Sequence, residues 1–213
     1  MNQSSPIPTY NQPKVLRGFS HINRYWDKTR GCWGAKIMPG QYYVTISDEI
    51  ITTVLGSCIS ACIRDSKLGI GGMNHFMLPS SDIEAAKLNT TTDAARYGNY
   101  AMEHMINDIL KNGGRRENLE VKIFGGGKIL KNMTDIGLRN ISFIHEYIKT
   151  EGMKIISEDV GDVHPRKVIY HPASGKAQVK RLRSVHNDTV VNRERDYMQD
   201  INKKPVQGDI ELF

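Results

Sequence analysis

From Gln41 onward, apolar and polar residues alternate with a period of two in short runs separated by turn residues, the pattern of half-buried strands. Gln41-Tyr42-Tyr43-Val44-Thr45-Ile46 predicts one strand, Asp48-Glu49 a turn, and residues 50–55 a second strand. Ile59-Ser60-Ala61-Cys62-Ile63-Arg64 predicts a third, and Asp65-Ser66-Lys67-Leu68-Gly69 turns it into a fourth that runs through Gly71 and Gly72 to His75. Residues 119–124 read as a strand that ends on Gly125-Gly126-Gly127-Lys128. Residues 166–171 and 177–182 read as a hairpin joined by 172–176. A period of 3.6 takes over twice. Tyr97, Ala101, Met105 and Ile109, with Met102, Ile106 and Leu110 alongside, predict a helix over 93–112, capped by Thr92 and ended by Gly113-Gly114. A second helix is predicted over 141–151, with Asn140 as N-cap and Gly152 beyond its end. Residues 1–35 show no sustained period, residues 80–92 are polar, and polarity returns after Ser184. These patterns predict an irregular arm over 1–35, one α+β domain over 36–185 with layered sheets and helices packed outside, and a polar tail over 186–213.

Composition narrows the class. A chain of 213 residues supports one well-formed core, and 39% hydrophobic content with a mean hydropathy of −0.45 describes a water-facing domain. No apolar stretch approaches the roughly 18 residues of a membrane span, and Met1-Asn2-Gln3-Ser4-Ser5-Pro6 lacks the apolar segment of a signal peptide. Three cysteines, without disulfide or zinc spacing, predict a reducing compartment, the cytoplasm. The formal charge of +6 gathers near the ends, in Arg17, Arg24, Lys28, Arg30 and Lys36 and in Lys176, Lys180, Arg181 and Arg183. Without a zinc-finger, RNA-recognition or helix-turn-helix signature, that charge predicts a solvated face or the steering of an acidic protein partner rather than nucleic-acid binding.

The chemistry is expected at Cys58 and His75. A turn centred between Ser66 and Lys67 sets Arg64 opposite Gly69 and Cys58 opposite His75, and directly opposed residues share a face with Cβ atoms about 5 Å apart. A thiol and an imidazole at that spacing exchange a proton and make a nucleophile for acyl transfer. Cys62, deeper in the hairpin, reads as core. A redox pair of Cys58 and Cys62 is disfavoured, because residues four apart on a strand lie roughly 13 Å apart. Gly125-Gly126-Gly127-Lys128 is not a phosphate loop, since Ile129 stands where Ser or Thr is required. Asp159, Asp162 and His164 do not amount to a metal site, and neither metal nor cofactor is expected.

The run 52–79, with Lys122 through Gly127, Ile136 through Asn140, and Glu158 through Asp162 followed by Arg166, resembles the chemoreceptor glutamine deamidases known as CheD. The likeness spans roughly residues 40–185. It implies a cysteine-hydrolase-like fold and a protein-glutamine glutaminase in which a Cys, a His and a Thr act on receptor glutamines. Cys58 and His75 match the first two. The threonine is Thr52 or Thr53, and only one of them can face the imidazole, because neighbouring strand residues point to opposite sides. Ser57, Asn74, Gly125, Gly126 and Gly127 are expected to hold the substrate amide, the glycines being equally readable as a plain structural turn. The resemblance further implies methyl-accepting chemotaxis receptors as substrate and a CheC-type phosphatase as partner. A non-catalytic receptor- or CheC-binding adaptor is the alternative reading.

Overall fold

Ten strands and three α-helices are formed by the described residues, 11–79, 93–129, 136–182 and 188–203, of a computed structural model. The polar stretch 80–92, with the Thr92 expected to cap the first helix, and the end of the expected polar tail, 204–213, lie outside them. One sheet holds β1 (Asn23–Asp27), β2 (Cys32–Lys36), β4 (Glu49–Leu55), β9 (Arg166–His171) and β10 (Lys176–Arg181), in that order. The other holds β3 (Tyr42–Thr45), β6 (Gly71–Asn74), β5 (Ile59–Asp65), β7 (Leu119–Gly125) and β8 (Lys154–Val160), again in spatial order. Helices α1 (Asp93–Lys111) and α2 (Ile136–Thr150) pack on the second sheet, and α3 (Asp188–Lys203) closes the described chain. This is the α+β architecture that the periodicities predict.

Strands β4 and β5 are buried along nearly their whole length, because each is covered on both faces. A single apolar cluster joins Ile51 and Val168 of the first sheet to Ile63 and Val121 of the second and to Met102, Met105 and Ile148 of the helices. Burying apolar surface is worth about 25 cal/mol per Å², so this shared core, and not either sheet alone, holds the layers together. A polar network around Glu49 crosses between the sheets. The fully buried Glu49 accepts from Tyr43 Oη at 2.8 Å and Thr45 Oγ1 at 2.6 Å, and pairs with Arg24 Nη2 at 2.7 Å. A buried carboxylate is tolerable only when so partnered.

Four expectations are corrected. Residues 1–35 are not wholly irregular: β1 and β2 form a hairpin with Trp26 paired to Trp33, and β2 runs parallel to β4. The hairpin is only half-buried, which leaves no clean alternation to read. Helix α2 begins at Ile136, five residues early, so Asn140 lies inside the helix and is fully buried instead of capping it. The β5–β6 register pairs Cys62 with Met73 and Arg64 with Gly71, two residues from the expected pairing. The turn is wider because the Asp65 carboxylate accepts from the Lys67 and Leu68 N–H groups and Gly69 takes φ +72°. Lastly, α3 lies in the segment expected to be a polar tail.

Candidate active site

A shift of two residues preserves which face a strand residue takes, so Cys58 and His75 still meet, diagonally instead of directly opposed. The Cys58 Sγ, a His75 ring nitrogen and a Glu194 carboxylate oxygen lie within 4.8 Å of one another, all buried. Cys58 sits on the crossover Gly56-Ser57-Cys58, which carries the chain from β4 in one sheet to β5 in the other. His75 follows β6. Its backbone is pinned on both sides, its N–H donating to Gln41 O at 2.9 Å and its C=O accepting from Gly40 N at 2.7 Å.

The two threonines separate cleanly. Thr53 Oγ1 lies 2.7 Å from His75 Nδ1 and donates its own proton to Ile37 O at 2.8 Å. A carbonyl can only accept, so the single hydroxyl proton is committed there and Thr53 must accept from an Nδ1–H. That fixes the tautomer and leaves a lone pair on Nε2, which is buried and has no hydrogen-bond partner. Thr52 instead donates to Val168 O at 3.0 Å, within its own sheet and away from the imidazole.

The glycine turn buttresses the cysteine loop. Gly126 N donates to Cys58 O and Gly127 N to Gly56 O, each at 2.7 Å, so these N–H groups are spent on the loop and do not point at an open seat. At Gly125, φ is +116° and an added Cβ would lie 2.2 Å from Cys58 O, so the close approach requires glycine. Asn140, from inside α2, donates to Ser57 O at 2.8 Å and accepts from Leu78 N at 2.9 Å. Of the other residues expected to hold substrate, Asn74 is committed to Ala61 N at 2.7 Å, whereas Ser57 reaches into the site. Asp159 and Asp162 pair with arginines: Asp159 with Arg166 and Arg181, Asp162 with Arg181.

Glu194, on α3, is the site residue that the sequence reading does not reach. Its Oε1 accepts from Gly56 N at 2.7 Å and Cys58 N at 3.2 Å, and its Oε2 from Ser57 N at 2.7 Å and Ser57 Oγ at 2.6 Å. Nothing local in the sequence marks this contact, which spans more than 130 residues. The only signal is the helical spacing of Val190, Val191, Tyr197, Met198 and Ile201 within a polar segment. Cys58, His75 and Glu194 form a donor set of the kind that can hold a metal ion, but four donors from the crossover already occupy the Glu194 oxygens. Burial, then the Glu194 charge and its hydrogen bond, raise the Cys58 thiol well above its ordinary pKa. Burial, then the Arg193 charge, push His75 down to about 3. Thiol and imidazole are therefore both neutral with α3 in place. Beside them a cavity of about 280 Å³ opens between His75, Phe76, Tyr97 and Tyr100.

Sequence comparison settles the family. A probable chemoreceptor glutamine deamidase CheD from Hahella chejuensis is 52% identical over 211 residues, covering 99% of this chain and 98% of that protein. The chain belongs to the CheD family. A second CheD relative, from Halorhodospira halophila, is 52% identical over 94% of each chain, and a third, from Hydrogenovibrio crunogenus, is 54% identical over 88% of this chain and 97% of its own. Both carry the same printed name, probable chemoreceptor glutamine deamidase CheD. The family model, described as CheD chemotactic sensory transduction, matches residues 77–181. That stretch contains the glycine turn and α2 but neither Cys58 nor His75. No helix of the described residues is long and apolar enough to cross a membrane.

Proposed function

We propose that this chain hydrolyses glutamine side chains of chemoreceptors to glutamate and releases ammonia, serving adaptation in chemotaxis. One observation carries the reading: Thr53 fixes His75 as the Nδ1–H tautomer, which leaves an unpartnered Nε2 lone pair in the same buried cluster as the Cys58 thiol. The Nε2 takes the thiol proton as Sγ attacks the side-chain carboxamide carbon. The tetrahedral oxyanion is held by the Cys58 and Gly56 N–H groups, which now converge on Glu194 Oε1. Collapse breaks the C–N bond, His75 returns its proton to the departing nitrogen, and ammonia leaves a thioester on Cys58. Water, deprotonated by the same nitrogen, then cleaves the thioester to glutamate and free thiol. A neutral threonine supports the imidazolium less than a carboxylate does, which suits slow modification of a protein.

The substrate is the cytoplasmic helical stalk of a methyl-accepting receptor, and the net charge of +6 favours an acidic bundle. Action in the cytoplasm and a CheC-type phosphatase partner belong to the same reading. Incubation with a receptor cytoplasmic fragment is expected to add about one dalton per converted glutamine, since NH₂ is replaced by OH. Unchanged peptide masses would overturn the assignment.

The role of Thr53 has its own test. Thr53→Val is expected to lower kcat by about 10²-fold with little change in KM, because the ring loses its anchor. Thr52→Val is expected to stay within about threefold of wild type. Steady-state kinetics on the receptor fragment that gave the reverse order would place the positioning threonine at 52.

A further inference from the structure

The crossover Gly56-Ser57-Cys58 directs three backbone N–H groups and one hydroxyl at a single side-chain carboxylate, two donors to each oxygen. Glu194 is 1% exposed and stands within 4.8 Å of both the thiol and the imidazole. A buried carboxylate needs several strong donors to replace water. Two of these donors, the Gly56 and Cys58 N–H groups, are the ones assigned above to the oxyanion, and the group they hold is the side chain that deamidation of glutamine produces. The helix around it is amphipathic. Val190 and Met198, four residues to either side of Glu194, are buried, and Val191, Tyr197 and Ile201 pack on the core. The Tyr197 hydroxyl meets that of Tyr97 on α1, and its ring lies over Gly40.

Building on the deamidase reading, we propose that α3 is a built-in product mimic: Glu194 sits where the enzyme's own glutamate product sits, and a receptor helix must displace α3 to be modified. The carboxylate is inert to attack, because its carbon is a poor electrophile and its charge disfavours the neighbouring thiolate, so the seat can be occupied indefinitely. The same contacts describe the substrate class. A receptor segment that replaces α3 is a helix presenting glutamine with apolar residues three and four positions to each side, the spacing of one helical face.

In Glu194→Gln the amide oxygen keeps the Gly56 and Cys58 N–H groups, the NH₂ donates to Ser57 Oγ and gives up only the Ser57 N–H bond, and the lid becomes a substrate. Cys58 Sγ is expected to attack the side-chain amide carbon introduced at position 194, ammonia to leave with the His75 proton, and water to cleave the thioester, so that the position returns to glutamate. Mass spectrometry of the peptide containing residue 194 should show a gain of about one dalton in E194Q, and a retained amide in E194Q/C58A. Independently, Glu194→Ala removes the charge-assisted contacts and should speed iodoacetamide labelling of Cys58, measured on its own peptide, by about tenfold or more. If E194Q deamidates a receptor fragment yet keeps its own amide at position 194, the product-mimic seat is overturned and the enzyme reading stands. If E194Q modifies neither, the product-mimic seat is overturned, and the enzyme reading fails with it only when the wild-type protein also leaves the receptor fragment unmodified. Unchanged Cys58 labelling in E194A would overturn α3 as a lid.

Discussion

Cys58→Ala is expected to lower deamidation of a receptor fragment by about 10⁴-fold or more while leaving the protein folded, since loss of the nucleophile removes the covalent route and leaves only binding and the oxyanion donors. Cys58 is fully buried, but alanine differs from it by one sulfur atom, and its backbone N–H and C=O remain bonded to Glu194 and Gly126. Ammonia release and receptor peptide masses measure the activity, and thermal unfolding the fold. Activity within about tenfold of wild type in a folded C58A variant would remove Cys58 as nucleophile.

Arg166→Ala is expected to be the most damaging change to the scaffold, costing about 3–5 kcal/mol because it leaves buried groups without their partner. Arg166 is fully buried on β9, and its guanidinium donates to Gly125 O and Gly161 O, each at 2.6 Å, with Nε 3.2 Å from Asp159. For a chain of this size the corresponding loss in Tm is about 10 °C. Arg166→Lys should recover little of it, since an ammonium cannot reproduce the planar fork that bridges two carbonyls. Deamidation should fall along with stability, because Gly125 opens the turn whose next two N–H groups hold the carbonyls of Cys58 and Gly56. A Tm within about 2 °C of wild type would show that the turn holds itself.

Where burial is one-sided or complete, the pattern along the chain is easy to read. β3, β4, β5, β7 and the β9–β10 hairpin lie within a residue or two of where the alternation puts them, and α1 follows from its apolar stripe. β1 and β2 escape because a half-buried edge hairpin has weak alternation, and α3 because its apolar residues are few within a polar segment. The register of β5 against β6 differs by two because Asp65 organises a wider turn through its side chain, a choice the strand pattern does not encode. Cys58 and His75 share a face all the same, since only an odd shift reverses a strand's faces.

The local order of residues was enough to establish the family motifs, the alternation that puts Cys58 and His75 on one face, and the requirement that only one of Thr52 and Thr53 can serve the imidazole. Tertiary structure alone decided which one. Thr53 faces the second sheet and spends its proton on Ile37 O, whereas Thr52 turns to Val168 within its own sheet. It alone placed Glu194 against Cys58 as well. Periodicity reports what a short segment does with water, but a hydrogen bond joining groups more than 130 residues apart depends on how whole layers pack, and no local pattern of apolar and polar residues carries that information.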